Sequence, residues 1–470
     1  MMFGVLVSRQ NPNGVALVLD GGMEVSYEML HSDIQRLANK VPKGALVFII
    51  GGNDKAAVIF YLACLEKGAV PLLLGKNISL KSLHKLMHTY EPNYLFKTTI
   101  SGLSEDGYSL IWKEDEYGLF ESNASKPHVL HPNLGLLLAT SGSTGSAKLV
   151  RLSLKNLISN AESISQYLEI TPEERAITSL PFNYSYGLSV INSHLFSGAS
   201  VALTNRPLLD AGFWKFINQV YVTSFAGVPY SYEMLLKLGL ERLKMPSIKT
   251  LTQAGGRLDP VKVKKIAEYC FANGLKFFVM YGQTEATARI SYMSLEDVLR
   301  RPGSIGKVIP NGLLRIEDIG GNSVKVPGVV GELLYEGANV SMGYAESLDD
   351  LKSGDIFNGI LRTGDLASFD EAGYFYIDGR LQRFLKIFGV RISLDSVERV
   401  LMDKGIECAA HGSDDLLIIS VVNLSEDKFE ELQKVLAIDL GIHYSGVRIR
   451  GISELPRLIN GKVNYQCLSL

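Results

Sequence analysis

LLLATSGSTGSAKLVR, residues 136–151, is the stretch on which the reading of the fold turns. Leu136 to Ala139 is a short apolar run with the character of a buried strand. It passes into Thr140-Ser141-Gly142-Ser143-Thr144-Gly145, then Lys148 and a second apolar and basic segment. The two glycines let the backbone turn tightly and come close to a ligand. Four hydroxyls and a run of free N–H groups offer donors to an anion, and Lys148 adds a point charge. That is the chemistry of a phosphate loop, although the same composition also serves a Ser/Gly turn with no ligand. A Walker A loop is excluded. Counted from Gly142, G-x-x-x-x-G-K-[ST] puts Ala147 where glycine belongs and Leu149 where the hydroxyl belongs.

The rest of the chain sets bounds on what such a loop serves. At 470 residues it exceeds one ordinary core, so two or three domains are expected. Apolar residues make up 46% and charged residues 20%, the balance of a soluble globular protein. A net charge of -2 leaves no electrostatic footprint for nucleic acid or an anionic membrane. Cys64, Cys270, Cys408 and Cys467 lie far apart with no CxxC pair, and read as reduced thiols of a cytoplasmic protein. The N-terminal MMFGVLVSRQNPNG has neither a basic n-region nor a long apolar h-region, so no leader is expected. The apolar stretch Ala56 to Leu65 is too short to span a bilayer.

Working outward from the loop, VALVLD at 15–20 followed by Gly21-Gly22 and Val25-Ser26-Tyr27 predicts a hairpin. Ser26 is placed to cap a helix over 27–39, and strand, helix, strand follow at 45–50, 54–66 and 69–74. Residues 76–130 carry no motif. After the loop come a helix over 153–168 and a strand over 177–181 that leads into Phe182-Asn183-Tyr184-Ser185-Tyr186-Gly187-Leu188. Those aromatics suit a ligand pocket and suit a core cluster equally well. Past residue 300, short strands punctuated by Gly and Pro predict a small β-barrel or meander. The last ninety residues read as a small α+β unit, with helices over 394–404 and 428–440. The fold class is therefore α/β: two α/β subdomains and a small β-barrel over 1–381, then a small mobile α+β domain over 382–470.

Five segments stand in a fixed order: the loop at 140–148, YGQTE at 281–285, RTGDL at 362–366, GRLQRFLKIFGVRI at 379–392 and LPRLINGKVNY at 455–465. Each is weak alone. Together they resemble the adenylate-forming superfamily across essentially the whole chain: acyl-CoA synthetases, stand-alone and peptide-synthetase adenylation domains, and luciferases. The resemblance implies that a carboxylic acid and ATP give an acyl-adenylate and pyrophosphate. The acyl group then passes to the thiol of CoA or of a carrier protein's phosphopantetheine. Such chemistry brings two anions together, so positive charge must stand where negative charge accumulates.

Residue by residue, the resemblance implies the following. Thr140, Ser141, Gly142, Ser143, Thr144, Gly145 and Lys148 hold the β- and γ-phosphates. Glu285 ligates Mg²⁺ and Thr284 meets a phosphate, one carboxylate with phosphates and waters being what Mg²⁺ prefers. Tyr281 stacks on adenine, Gly255 and Gly256 allow close backbone approach, and Gly282 and Ile377 complete the nucleotide contacts. Asp365 accepts the ribose hydroxyls and Arg380 adds a contact. Lys462 is the mobile catalytic lysine that bridges the carboxylate and the α-phosphate. Asn183, Tyr184, Tyr186, Gly187, Val228 and Gln283 line the acyl pocket. Lys386 and Gly389 line the thiol tunnel. The hinge falls on Gln382, where the family carries a charged residue.

The acid is less clear. Amino-acid-activating relatives carry an aspartate in F-D-x-S, and this chain has Phe182-Asn183-Tyr184-Ser185. An unpartnered ammonium there would cost roughly 3–5 kcal/mol, which favours an acyl or aryl acid. Amino-acid adenylation and a catalytically silent adenylate-binding homologue remain the alternatives.

Overall fold

The computed structural model describes residues 10–99, 107–124, 126–139, 148–243, 245–381, 383–458 and 461–468. Two large sheets carry most of the chain. In the nine-stranded one, Val15–Val18, Ser200–Ala202, Arg175–Ile177, Ser224–Gly227, Thr250–Gln253 and Lys276–Tyr281 are neighbours in that order and run parallel. Glu24–Ser26 closes one edge antiparallel, completing the hairpin expected near the N-terminus. In the eight-stranded sheet, Tyr94–Thr98, Leu46–Gly51, Val70–Gly75 and Leu134–Ala139 form the parallel centre. The chain thus leaves its first hairpin in one sheet and starts the next strands in the other.

Sequence dictates where the helices lie. Ser26 accepts a bond from the Met29 amide and starts the helix Tyr27–Ala38. Lys55–Lys67 is apolar all round, and nine of its thirteen residues are buried, so it must be enclosed. It lies between the two sheets. Phe60 stacks on Phe96 with centroids 3.9 Å apart, and one core joins Ala16 and Leu17 of the first sheet to Val47 and Ile49 of the second. Each large side chain in it contributes about 1.5–3 kcal/mol of burial.

The Gly- and Pro-punctuated region forms a four-stranded antiparallel sheet, Leu313–Glu317, Gly331–Glu336, Ile360–Phe369 and Phe375–Arg380. Beyond it, the hairpin Phe384–Ile387/Val390–Ser393, the helices Leu394–Asp403 and Phe429–Asp439, and a three-stranded sheet form the small C-terminal domain. That domain has its own core, including Ile387, Val397, Leu401, Ile419, Leu436 and Val447. The large N-terminal region and small C-terminal domain match the expected architecture.

One stretch gains definition and one local expectation changes. The stretch without motifs holds the helix Leu80–Tyr90 and the hairpin Tyr108–Glu114/Tyr117–Ser122. The strand expected over 177–181 is Arg175–Ile177, and the aromatic run opens the helix Ser185–Phe196, which is buried on nearly every side and so lacks an amphipathic pattern. The register Gly227 opposite Gln253 and Gln253 opposite Val279 brings Val228, Gly255 and Tyr281 out along one edge. That edge is the carboxyl end of the parallel strands, where open α/β sheets bind ligands.

Candidate active site

Asp365 organises one half of the site. It follows Gly364 at φ +69° and pairs across the sheet with Arg380. Its side chain is almost wholly buried. Oδ1 accepts from Arg380 Nε at 3.0 Å, and Oδ2 accepts from the Tyr281 hydroxyl at 2.5 Å and Gln283 Nε2 at 2.9 Å. Burial and then the Asp365 charge push the Tyr281 hydroxyl well above its ordinary pKa, so it stays a donor. Burial acts against the Arg380 charge, but Asp365 and Asp395 outweigh it and raise its pKa. The Gln283 amide also donates to the Thr363 carbonyl at 3.0 Å, so it is held beside Asp365.

Glu285 organises the other half. It sits in the 3-10 turn Thr284–Ala286, reached from Tyr281 through Gly282. A Cβ on Gly282 would lie 1.9 Å from the Ala288 carbonyl oxygen, so only glycine lets the two backbones pass. Asn339 braces the turn, donating to the Ala286 and Arg289 carbonyls at 2.8 Å each while its Oδ1 accepts from Tyr335 at 2.6 Å. Glu285 Oε1 accepts from the Tyr344 hydroxyl at 2.8 Å. The Lys148 ammonium stands 3.7 Å from the centroid of the same tyrosine ring and 3.7 Å from Glu346. Thr284 Oγ1 lies 3.1 Å from Ser185 Oγ, which ties this turn to the aromatic run.

Of the phosphate loop, Thr140, Ser141, Gly142, Ser143, Thr144 and Gly145 lie outside the described residues, as does the hinge residue Gln382. The loop's flanks are described. Leu134–Ala139 and Leu149–Ser153 pair antiparallel with Ala139 opposite Leu149, so Lys148 stands at the root of a hairpin connection. Tyr344 pairs with Val150 on the next strand, which delivers its hydroxyl to Glu285.

Lys462 links the halves. Burial and then the Arg380 charge lower its pKa, while Glu285 and Asp365 pull the other way. All four groups therefore share one electrostatic neighbourhood. The approach is fixed by Gly461, where a Cβ would lie 3.1 Å from both Val228 and Tyr230. Arg399 secures the docked domain, donating to the carbonyls of Ile377 at 3.1 Å and Asp378 at 2.6 Å. Ile377 is itself half-buried in the core under the antiparallel sheet.

The remaining expected residues divide. Tyr184, Val228 and Gly255 converge: Gly255, at φ +85°, has no room for a Cβ, which would lie 2.5 Å from the Tyr184 hydroxyl and 3.1 Å from Val228. Gly256 is exposed beside Pro229, and Asn183 lies against Gly75. Tyr186 is fully buried with its hydroxyl on Thr252 at 2.9 Å, a wall rather than an open surface. Gly187 backs on to the carbonyls of Leu180 and Pro181 because its helix crosses that turn. Lys386 is exposed, and its amide donates to Asp414. Gly389 stands at a hairpin tip at φ +86° in open space. Tyr344, Asn339 and Ser185 carried no local signal, since each acts through a partner distant in sequence.

Glu285 keeps Oε2 outside the Tyr344 bond, a donor set that suits a hard cation whose other ligands are phosphate and water. Among the described residues no helix is long and apolar enough to cross a membrane. The oxalate–CoA ligase of Arabidopsis thaliana is 26% identical over 84% of this chain and 82% of its own length. The 2-succinylbenzoate–CoA ligase of Listeria monocytogenes is 23% identical over 97% of this chain and 96% of its own length. Among solved structures, the o-succinylbenzoate CoA synthetase of Bacillus subtilis with its acyl-adenylate intermediate superposes with a TM-score of 0.78 at 23% identity. It covers 100% of this chain and 98% of that one. ATP-bound MatB from Rhodopseudomonas palustris gives 0.80 at 22% identity, covering 99% and 97%. The fold is shared with both. Residues 7–345 match the family model described as AMP-binding enzyme, and the chain belongs to that family.

Proposed function

We propose that this protein is an AMP-forming acid–thiol ligase acting in the cytoplasm on a small-molecule carboxylic acid, with ATP, Mg²⁺ and a thiol that is CoA or a carrier protein's phosphopantetheine. The observation that carries the reading is buried Asp365, whose two oxygens hold Arg380, the Tyr281 hydroxyl and the Gln283 amide at the carboxyl end of the parallel strands. The curated relatives are named as CoA ligases of carboxylic acids, which supports it.

In the first half-reaction a carboxylate oxygen attacks the α-phosphorus, the bond to pyrophosphate breaks, and the acyl-adenylate remains. Lys462 neutralises charge between the two reacting anions, a role whose loss costs about 3–4 kcal/mol in comparable sites. Asp365, with both oxygens held, is oriented to accept ribose hydroxyls, and Arg380 beside it adds a donor. Tyr281, held by its hydroxyl on Asp365, presents its ring as a platform for the base. Glu285 would hold Mg²⁺, which supplies charge neutralisation at the phosphates when bound. In the second half-reaction a thiol sulfur attacks the acyl carbon, AMP leaves and the thiol proton is released. For that step the domain over 382–470 swings about Gln382, so that Lys386 and Gly389 replace Lys462 at the site.

An acid without an α-ammonium is favoured because Asn183 puts an amide, not a carboxylate, beside Gly75. ATP–pyrophosphate exchange over a panel of acyl, aryl, hydroxy and amino acids tests the reading, followed by addition of CoA or of carrier protein. Exchange with amino acids alone refutes the acid class, and no exchange with any acid refutes the ligase.

A further inference from the structure

Arg457 lies five residues before Lys462, and the reaction above leaves it unused. The backbone folds back on itself here. Arg457 and Val463 form an antiparallel bridge, the Leu458 amide donates to the Lys462 carbonyl at 2.8 Å, and the Gly461 amide donates to the Leu458 carbonyl at 2.8 Å. Arg457 Nη1 closes the turn by donating to the Gly461 carbonyl at 3.1 Å. That carbonyl belongs to the peptide joining Gly461 to Lys462, so the guanidinium grips the unit from which the lysine side chain springs.

The other arm of the guanidinium reaches in two directions. Nη2 donates to Glu407 Oε1 at 3.1 Å, just before the strand Cys408–Ser413 of the small domain. The same nitrogen stands 3.9 Å from Glu233 Oε2, on the helix Pro229–Leu238 of the large region. Lys262 donates to the second oxygen of Glu233 at 2.8 Å and so orients that carboxylate. Tyr230 lies on the same helix face, three residues before Glu233. Its ring centroid is 5.7 Å from the Arg457 guanidinium carbon, and its side chain also flanks Gly461. The far end of the turn is held differently. The Tyr465 hydroxyl donates to both oxygens of buried Glu398, at 3.0 and 3.2 Å, and the Arg383 guanidinium stands 4.1 Å from its ring centroid. Glu398 and Arg383 belong to the small domain and travel with it, whereas Arg457 joins both bodies.

We propose that Arg457 is a positioning residue for adenylation, a clasp that fixes the Gly461–Lys462 peptide and pins it to the Tyr230–Glu233 face while the small domain is docked. Its contacts are unequal. The bonds to Gly461 and Glu407 lie within the small domain and persist when it swings. The ion pair with Glu233 crosses the boundary and breaks. A longer, partly exposed pair suits that place, because it orients the turn and costs little to release. Moving a reacting group by about 1 Å costs about 10²-fold in rate, so a weak anchor has a large kinetic effect. This inference rests on the ligase reading and on the domain exchange proposed with it.

The test measures the two half-reactions separately in the full chain. One is ATP–pyrophosphate exchange with the acid that exchanges fastest in the panel above. The other is thioester formation from that acid's adenylate supplied in solution, with pantetheine as the thiol. Wild type, R457Q, R457K, E233Q and R457Q/E233Q are compared, with melting temperatures recorded. R457Q is expected to lower kcat for exchange by ~10- to 10²-fold, with KM for ATP and thioester formation unchanged. R457K, which keeps the charge but not the planar fork, is expected to recover part of the loss. E233Q is expected to lose ~3-fold in exchange, and the double variant to lose no more than R457Q, since both changes remove one clasp. An R457Q that slows both half-reactions equally, or leaves exchange intact, overturns the proposal and leaves the ligase standing, as does a double variant whose losses multiply. If R457Q fails to fold, E233Q decides: a loss confined to exchange supports the clasp and no loss overturns it. A wild type that exchanges with no acid refutes the ligase reading and this inference with it.

Discussion

Replacing Tyr344 by phenylalanine removes one hydroxyl and keeps the ring on which Lys148 rests. In the structure that hydroxyl donates to Glu285 Oε1 at 2.8 Å, and burial followed by the Glu285 charge raises its pKa, so it remains a donor across the working range. A hydrogen bond to a charged group contributes about 1.5–3 kcal/mol net, and the half-exposed setting of Glu285 places this one at the lower end. About 1.5 kcal/mol is about tenfold. With Glu285 serving the nucleotide and not the acid, as proposed, the loss is expected in kcat/KM for Mg·ATP, measured by exchange at saturating acid, with KM for the acid unchanged. Y344A, which also removes the ring from beneath Lys148, is expected to lose a further ~0.5–1 kcal/mol of cation–π attraction. An unchanged ATP dependence in Y344F refutes the assignment of Glu285 to the metal and phosphates.

Lys462→Met is expected to slow adenylation by ~10²–10³ while sparing thioester formation from acyl-adenylate supplied in solution; equal loss of both steps would contradict the domain exchange. In the proposed mechanism Lys462 acts in its charged form, and its pKa is lowered by burial and by Arg380. The basic limb of the kcat/KM profile for the free enzyme is therefore expected below the ordinary lysine range, and that of kcat higher, since bound phosphates favour the charged form. Gly282→Ala forces the 280–289 backbone apart at the Ala288 carbonyl and is expected to lower the melting temperature sharply, whereas Gly389→Ala meets no neighbouring atom and, strained only at its own φ of +86°, is expected to lower it by a few degrees and to slow thiol transfer selectively.

Much of this was legible because the nucleotide-facing residues are local signatures. Tyr281 to Glu285 runs from a strand end into a 3-10 turn and Arg362 to Asp365 lies within one strand, so in both the residue types stand side by side in the sequence. The acyl side was harder to read. Tyr186 and Gly187 look identical in sequence whether they face a ligand or the core, and only the burial of the Ser185–Phe196 helix separates the two. Gln283 lies within a motif, and its bond to Asp365 is legible only in the fold, where a buried carboxylate draws the donors within reach. Asn339 and Tyr344 gave no signal because their partners, Ala286 and Glu285 of the 3-10 turn, lie more than fifty residues away and meet them only in the folded chain.

The first hairpin of the chain carries a consequence for biosynthesis. Leu17 and Val18 find their parallel neighbours only in Val201 and Ala202, on a strand the ribosome has yet to make when Val15–Ser26 emerges. Until then an apolar ribbon waits with one side unpaired, open to intermolecular pairing. Folding during translation therefore begins with the eight-stranded sheet, and nascent chains stalled before residue 200 should be clients of holdase chaperones.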